Sequence, residues 1–344
     1  MSYFCKDKPY IIAEISANHN NSINFVMDSI AACARAGASA VKTQLFTAGS
    51  IGIPDRDSSV VLSDPSSPWN GYLLYDLYES ASMPYEWYPT LIKATEAHSI
   101  DLIASVFDLE SLEYLLRLDL PIVKVSSFEI IHIPLLQAIS SCQKPVILST
   151  GMASDSEVSD AVKILGTSDA ANLCLLECIS AYPANPENYS IKRMLKRKHL
   201  HNVEVGISDH TLSNIASILA VSHGAVVVEK HFLLDKSVKT LDSSFSIGPD
   251  ELRRLVHDCN LSLKISRNDP SSYALPQEKS SAWERPSLYY ANDLSAGHPL
   301  AECDLLVRRP SLGLSPAKLS EIVGKRLLTD VKRYSPVKNG TYNE

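Results

Sequence analysis

Short runs of β-branched and other apolar residues alternate along this chain with stretches whose apolar positions recur every three or four residues. Eight runs read as strands: residues 10–16, 40–45, 101–106, 122–126, 145–149, 172–178, 203–207 and 225–229. They are mostly apolar throughout, the pattern of parallel strands covered on both faces. Helical stretches lie between them. Over residues 22–36, Ile23, Val26, Met27, Ile30 and Ala34 recur at helical spacing, and Gly37 follows as a stop. Residues 213–223 end in the same way at Gly224. Over residues 249–264, Pro249 takes the first turn with Asp250 and Glu251 behind it, while Leu252, Leu255, Val256 and Cys259 form the apolar stripe.

Eight such strands before residue 265 suit a closed (β/α)8 TIM barrel better than an open doubly wound sheet. The expected organisation is a barrel over residues 1–265, a polar linker over 266–284 and a small C-terminal domain over 285–344. That last unit is marginal for independent folding and is expected to dock on something larger. Residues 47–82 are too long for a plain connection, and Trp69, Tyr72, Tyr75 and Tyr78 predict an ordered, packed loop rather than a disordered one.

Composition narrows the function classes. A net charge of −7 and a pI near 5.8 argue against a sequence-independent nucleic-acid binder, though a few local cations suffice for an anionic substrate. No stretch approaches the roughly 20 apolar residues of a membrane span, and residues 1–8 hold no apolar signal core. The seven cysteines are scattered without a C-x-x-C pair, which predicts reduced thiols and a cytoplasmic protein. Glycine-rich phosphate loops of the G-x-x-x-x-G-K-[ST] or G-x-G-x-x-G type are absent, so nucleotide chemistry is not expected.

Barrel strands run out into the loops that carry active sites, and here those ends are polar on nearly every strand. They present Glu14 and Asn18-His19-Asn20; Lys42 and Gln44; Ser105; Lys124, Ser127 and Glu129; Ser149 and Thr150; Tyr182; Ser208, Asp209 and His210; Glu229, Lys230 and His231. A charge at the end of an apolar strand faces a desolvation cost unless it meets a partner or a ligand. Lys42 and Lys124, inside apolar strands, are candidate anion binders, with Ser127, Ser149 and Ser208 as added donors. Each lysine has a structural alternative, an ion pair with a glutamate inside the barrel, and Lys124 also has that of a Schiff-base lysine. His210 and His231 end neighbouring strands, where two imidazoles can share one divalent ion with positions left open.

Together, Ile11-Ile12-Ala13-Glu14-Ile15-Ser16-Ala17-Asn18-His19-Asn20, Ala40-Val41-Lys42-Thr43-Gln44, Ile147-Leu148-Ser149-Thr150-Gly151-Met152, Gly206-Ile207-Ser208-Asp209-His210-Thr211 and Glu229-Lys230-His231-Phe232 resemble the sialic acid synthase family over nearly the whole chain. The region from Arg285 resembles that family's antifreeze-like (SAF) domain. The resemblance implies an enzyme that condenses phosphoenolpyruvate with an open-chain amino sugar to a nine-carbon 2-keto acid, releasing phosphate, with Mn²⁺ or Mg²⁺ as cofactor. It implies that His210 and His231 hold the metal, and that Lys42, Ser105, Lys124, Ser127, Ser149 and Ser208 bind phosphoenolpyruvate. Gln44, Tyr182, Asp242 and Arg309 would then meet the sugar, Arg309 from the SAF domain of a partner subunit in a domain-swapped homodimer. Glu14 or Glu129 would serve as catalytic base beside His231.

Two departures carry information. Asn21 replaces a usual glycine, and asparagine tolerates the left-handed conformation. Residues 239–246, with Asp242-Ser243-Ser244-Phe245-Ser246, lack the family's usual glycines and Pro-Asp-His and resemble its pseudaminic acid branch, as does Ile15-Ser16-Ala17-Asn18. The expected substrate is therefore 2,4-diacetamido-2,4,6-trideoxy-L-altrose, with N-acetylneuraminate or legionaminic acid synthesis as alternatives. A non-catalytic sugar-binding protein is the alternative from a different class.

Overall fold

The computed structural model describes residues 3–4, 7–55, 60–166, 172–268 and 280–343. The chain divides into two compact units, Met1–Asn268 and Asp269–Glu344.

In the first unit, β1 (Tyr10–Glu14), β2 (Ala40–Leu45), β3 (Asp101–Val106), β4 (Val123–Val125), β5 (Val146–Ser149), β6 (Leu173–Cys178), β7 (Glu204–Asp209) and β8 (Val227–His231) close a parallel barrel in chain order. Residues Tyr10 to Glu14 of β1 pair in register with Val227 to His231 of β8 and seal it. The helices are α1 (Ile23–Ala36), α2 (Ala48–Ile51), α3 (Leu74–Ala81), α4 (Tyr88–Ala97), α5 (Leu109–Arg117), α6 (Ile133–Ser140), α7 (Asp155–Leu165), α8 (Ile191–His201), α9 (Ile215–Ser222) and α10 (Pro249–Arg267). Their ends follow the capping rules. Ser22 accepts from the Phe25 N–H at 3.3 Å to start α1, and Gly37 ends it at φ +89°.

The period-two alternation of the strands explains why they read as apolar throughout. One face, with Ile11, Ala13, Val41, Leu102, Val123, Leu148, Val205 and Val228, packs outward in the main core with helix residues such as Val26, Leu91 and Leu255. The other face fills the barrel in layers. Ile12, Ala40, Ile103, Ile122, Ile147, Leu176 and Val227 form a buried apolar plug, which Phe4 joins. Truncating one of these isoleucines to alanine would cost about 2–5 kcal/mol. Gly206 completes that layer, because a Cβ there would come within 2.4 Å of the Val227 carbonyl oxygen.

Two residues further along each strand, the same inward face carries Glu14, Lys42, Ser105, Lys124, Ser149, Cys178, Ser208 and Glu229, all buried. The barrel interior therefore changes from apolar to polar in one step toward the C-terminal end of the strands.

Several strand boundaries differ from the sequence expectation, most by one residue and four of them by two. β1 stops at Glu14 instead of residue 16, because Ile15 turns into the αR region and Ser16 is left-handed at φ +46°. β7 and β8 run two residues past their apolar runs, to Asp209 and His231. There the strand continues into the polar layer, where apolar patterning gives no signal. α10 continues to Arg267, two residues into the expected linker, and residues 282–284 form a 3-10 turn; residues 269–279 of that linker lie outside the described residues. In the long β2–α4 connection, α2 and α3 flank a hairpin-like loop closed by a Val61–Leu73 bridge, and residues 56–59 lie outside the described residues.

The second unit has its own small core of Leu288, Tyr290, Leu300, Leu305, Ile322, Leu327, Val331 and Val337. β9 (Ser287–Tyr290) pairs antiparallel with β10 (Leu305–Arg308). Just past β10, the Ser287 and Tyr289 hydroxyls both donate to the Pro310 carbonyl, at 2.9 and 2.6 Å, fixing the backbone that presents exposed Arg309.

Candidate active site

The polar layer is a network of two lysines and two carboxylates. Lys42 Nζ forms a short ion pair with Glu14, donates to Ser105 Oγ at 2.9 Å and lies 3.9 Å from Glu229. Lys124 Nζ donates to Ser149 Oγ at 2.7 Å and to the Val125 carbonyl at 2.9 Å, and lies 3.8 Å from Glu229. Glu229 Oε1 accepts from Ser208 Oγ at 3.0 Å, while its Oε2 is buried between the lysines with no hydrogen bond. Gln44 Nε2 donates to Glu14 Oε1 at 3.4 Å. Ser127 Oγ accepts from the Gly151 N–H at 3.0 Å and reaches Cys178 Sγ at 3.6 Å.

The lysine–glutamate pairing foreseen as a structural alternative is thus present, in the same place as the proposed anion donors. Both can hold, since the second oxygen of Glu229 is only loosely engaged.

These contacts shift the ionisable groups in opposite directions. Burial pushes Glu14 up to about 7, reinforced by Glu229 and opposed by Lys42. Burial also acts against ionised Glu229, but Lys124 and Lys42 outweigh it and hold that carboxyl below its ordinary value. Lys124 is lowered by burial, whereas Lys42 is raised because Glu14 and Glu229 together overcome its own desolvation. Carboxylates with such different environments are suited to different tasks.

One layer further out stand the two histidines, with ring centroids 5.4 Å apart. His210 Nδ1 lies 2.7 Å from the Ile179 carbonyl, an acceptor only, so in the neutral ring Nδ1 carries the proton. His210 Nε2 then holds a lone pair, 3.4 Å from Ser208 Oγ. His231 Nδ1 is buried without a hydrogen-bond partner and is 3.7 Å from Asp242 Oδ2. Burial lowers both rings, His210 to about 4, so both are neutral and able to ligate. Among the described residues no group of three or more His, Cys, Asp or Glu is placed to hold a metal. His210 and His231 are the two imidazoles that could hold a metal ion here.

Asp242 accepts from the Ala17 N–H at 3.2 Å, and burial raises it to about 6. Asn18 ties the same loop together, donating to the Phe232 carbonyl and to Ser246 Oγ, both at 2.8 Å, and accepting from Thr240. Asn20 and Asn21 are left-handed at φ 48° and 51°, the conformation asparagine was expected to accommodate. Tyr182 stacks on His210 with centroids 4.3 Å apart, and Phe245 lies 4.8 Å from His231.

Glu129 stands outside the hydrogen-bonded network of Lys42, Lys124, Glu14 and Glu229. Glu129 sits on a 3-10 turn after β4, its carboxylate engaged by the Ser126 hydroxyl and raised by burial. Arg309 belongs to the second unit. Among the strand-end residues, Lys230 faces away from the barrel interior, where it pairs with Asp209. Sequence reasoning left Glu229 without a role, although its spacing of two from His231 puts both on the inward face. Asn18, Thr240 and Ser246 were also unassigned, and only their contacts reveal the clamp on the loop of Asp242.

Comparison with known proteins identifies the family. Residues 29–268 match the NeuB family and residues 285–340 match the SAF domain. The chain is 35% identical over 338 residues to the pseudaminic acid synthase of Campylobacter jejuni, covering 97% of each. It is 32% identical to the N,N'-diacetyllegionaminic acid synthase of Legionella pneumophila, covering 92% of this chain and 90% of the relative. The crystal structure of an N-acetylneuraminic acid synthetase from Leptospira borgpetersenii, in complex with citrate, superposes with a TM-score of 0.70 at 27% identity, covering 80% of this chain and 90% of that one. The chain therefore belongs to the NeuB family and is a carbon–carbon bond-forming, phosphoenolpyruvate-dependent synthase of the nonulosonic acid type, with a SAF domain at its C-terminal end.

Proposed function

We propose that this chain is a pseudaminic acid synthase, joining phosphoenolpyruvate to 2,4-diacetamido-2,4,6-trideoxy-L-altrose with release of phosphate. The observation that carries this reading is the wall beside the two histidines. Phe245, on the loop that resembles the pseudaminic acid branch, packs 4.8 Å from His231 and 5.1 Å from Tyr182. An apolar wall accepts a 6-deoxy methyl, whereas a hydroxyl placed there loses its water partners at a cost of about 1–3 kcal/mol. The name and 35% identity of the Campylobacter relative support the same assignment.

In this reading Lys42 and Lys124 neutralise the carboxylate and phosphate of phosphoenolpyruvate, with Ser105, Ser127, Ser149 and Ser208 as hydroxyl donors. C3 of phosphoenolpyruvate attacks the aldehyde carbon of the open-chain sugar, water adds to C2, the new alkoxide takes up one proton of that water, and the C2 adduct collapses to the keto group as phosphate leaves with the other. Glu14, raised by burial and hydrogen-bonded by Gln44, removes a proton from that water. Asp242 accepts hydrogen bonds from the sugar. The neutral imidazoles of His210 and His231, one with a fixed tautomer and one with an unpartnered buried nitrogen, fit a divalent metal, Mn²⁺ or Mg²⁺. Bound there, such an ion supplies Lewis-acid polarisation of the aldehyde oxygen.

The rest of the proposal is a cytoplasmic homodimer in which Arg309 of one subunit meets the N-acyl group of a sugar held by the other. Cys33, Cys174, Cys178 and Cys259 are buried free thiols, in keeping with a reducing compartment.

The test is kcat/KM, from phosphate release at saturating phosphoenolpyruvate, for the altrose derivative and for the precursors of legionaminic and N-acetylneuraminic acids. The altrose derivative is expected to lead by about tenfold to hundredfold over N-acetylmannosamine. Preference for N-acetylmannosamine would overturn the reading.

A further inference from the structure

Trp69 comes from the long connection between β2 and α4, far in sequence from the other residues of the site. Its loop is built for presentation. Leu62 N donates to the Tyr72 carbonyl at 2.9 Å, Gly71 N to the Leu62 carbonyl at 2.7 Å and Leu74 N to the Val60 carbonyl at 2.9 Å, making a two-strand stem. At the tip, Trp69 N donates to Ser67 Oγ at 3.2 Å and the Trp69 carbonyl accepts from Tyr72 N at 3.1 Å. The stem residues Val60 and Val61 are largely exposed, at 62% and 55%, so the stem buries little of itself.

The indole is held by both of its chemistries. Its Nε1–H donates to the Leu241 carbonyl at 3.0 Å, the residue before Asp242. Its ring lies 5.3 Å from Tyr182 and 5.9 Å from Phe245, centroid to centroid. Those two rings in turn contact His210 and His231, at 4.3 and 4.8 Å. The indole therefore backs the aromatic wall and fixes the loop that supplies the sugar carboxylate, while the lysines of the polar layer meet other groups.

We propose that Trp69 is a specificity-determining residue: it seals the apolar end of the sugar pocket against water, so that a sugar ending in a methyl is favoured over one ending in a hydroxymethyl. This rests on the proposed substrate class for the site. A rigid, water-excluding ring discriminates because the extra hydroxyl of a hydroxymethyl-ended sugar must lose its solvent there and finds no partner. With the ring removed, water reaches the pocket and the penalty disappears.

The experiment compares Trp69→Ala and Trp69→Phe with the unaltered full chain. It reads kcat/KM for the 6-deoxy di-N-acetylated hexose and for N-acetylmannosamine, and KM for phosphoenolpyruvate. Trp69→Ala is expected to compress the ratio between the two sugars by about tenfold, chiefly through a higher KM for the preferred one, with KM for phosphoenolpyruvate unchanged. Trp69→Phe, which keeps an apolar ring but loses the Nε1–H donor, is expected to keep most of the discrimination and guards against a loop that has simply detached. Hydrogen exchange of the amides at 61–74 reports the loop independently of turnover. An unchanged ratio in Trp69→Ala, or an equal loss for both sugars in both variants, would overturn the proposal. A wild-type preference for N-acetylmannosamine would defeat the substrate reading and with it the methyl selectivity assigned to Trp69, whereas a wild-type preference for the deoxy sugar that Trp69→Ala leaves unmoved would defeat the role of Trp69 alone.

Discussion

Lys230 and Asp209 form an ion pair of 2.9 Å between two side chains with no solvent exposure, on the opposite face of β7 and β8 from Ser208, Glu229 and His231. Lys230 also donates to the Thr211 carbonyl at 2.6 Å and the Ser213 carbonyl at 2.9 Å, so all three ammonium donors are used. Asp209 accepts from Ser217 Oγ at 2.7 Å and from Thr211 N at 2.9 Å. The strand carrying His231 is thereby bolted to the turn that follows His210. Breaking a buried pair on one side strands the other charge, so Lys230→Met is expected to cost about 3–5 kcal/mol. Asp209→Leu added to it should restore part of that loss. Urea unfolding of the two single variants and the double variant measures the coupling, and full additivity would show that the pair does not act as a unit.

The barrel was legible in the sequence because both faces of each strand are buried; β2 and β3 start and end where the apolar runs do. The ends of β7 and β8 were not, since a strand that enters the active-site layer trades apolar residues for Ser208, Glu229 and His231 while keeping its ladder. The polar ring itself was legible as charges and hydroxyls at strand ends. What remained hidden was facing. Lys230 and His231 are neighbours in the chain, yet one serves the outer packing and the other the site, and only an accurate strand end fixes that alternation. Trp69 was read as an ordered-loop aromatic, but its meeting with Tyr182 and Phe245 joins residues more than a hundred positions apart, which local pattern does not encode.

Metal dependence is proposed from the two neutral imidazoles, His210 and His231. Removing bound ions with EDTA is expected to abolish turnover, and Mn²⁺ to restore it. His231→Ala should lose the calorimetric Mn²⁺-binding heat; its ring packs against Phe245 and His210, so a somewhat lower thermal midpoint is expected as well. Full activity of the chelated enzyme would remove the metal from the scheme.

Arg309 is an exposed cation on a pinned backbone and is proposed to act on a neighbouring subunit's sugar. Arg309→Ala is expected to raise KM for the sugar by about tenfold or more, the loss of a charge-assisted hydrogen bond of roughly 1.5–3 kcal/mol, with little change for phosphoenolpyruvate. Deleting residues 285–344 should abolish activity while leaving a folded barrel, and sedimentation of the full chain should show a dimer. A fully active truncated monomer would refute the shared-site arrangement.

The pH profile tests the division of labour between Glu14 and Glu229. A general base must be ionised, and Glu14 is pushed up to about 7 by burial, with Glu229 adding to the rise and Lys42 opposing it. Activity should therefore fall on the acid side as Glu14 takes up a proton, giving a limb near neutrality instead of near the ordinary glutamate value. Glu14→Gln should remove that limb and lower kcat by about 10²–10⁴-fold, the usual worth of a positioned base. The neighbour gives the sign. Removing the negative charge of Glu229 takes away a cause that raises Glu14, so Glu229→Gln should move the limb to lower pH. Both profiles are read as kcat/KM for the sugar at saturating metal and phosphoenolpyruvate. A Glu14→Gln enzyme that keeps the limb, or a Glu229→Gln limb displaced to higher pH, would assign the base to another group, with Glu129 the next carboxylate to test.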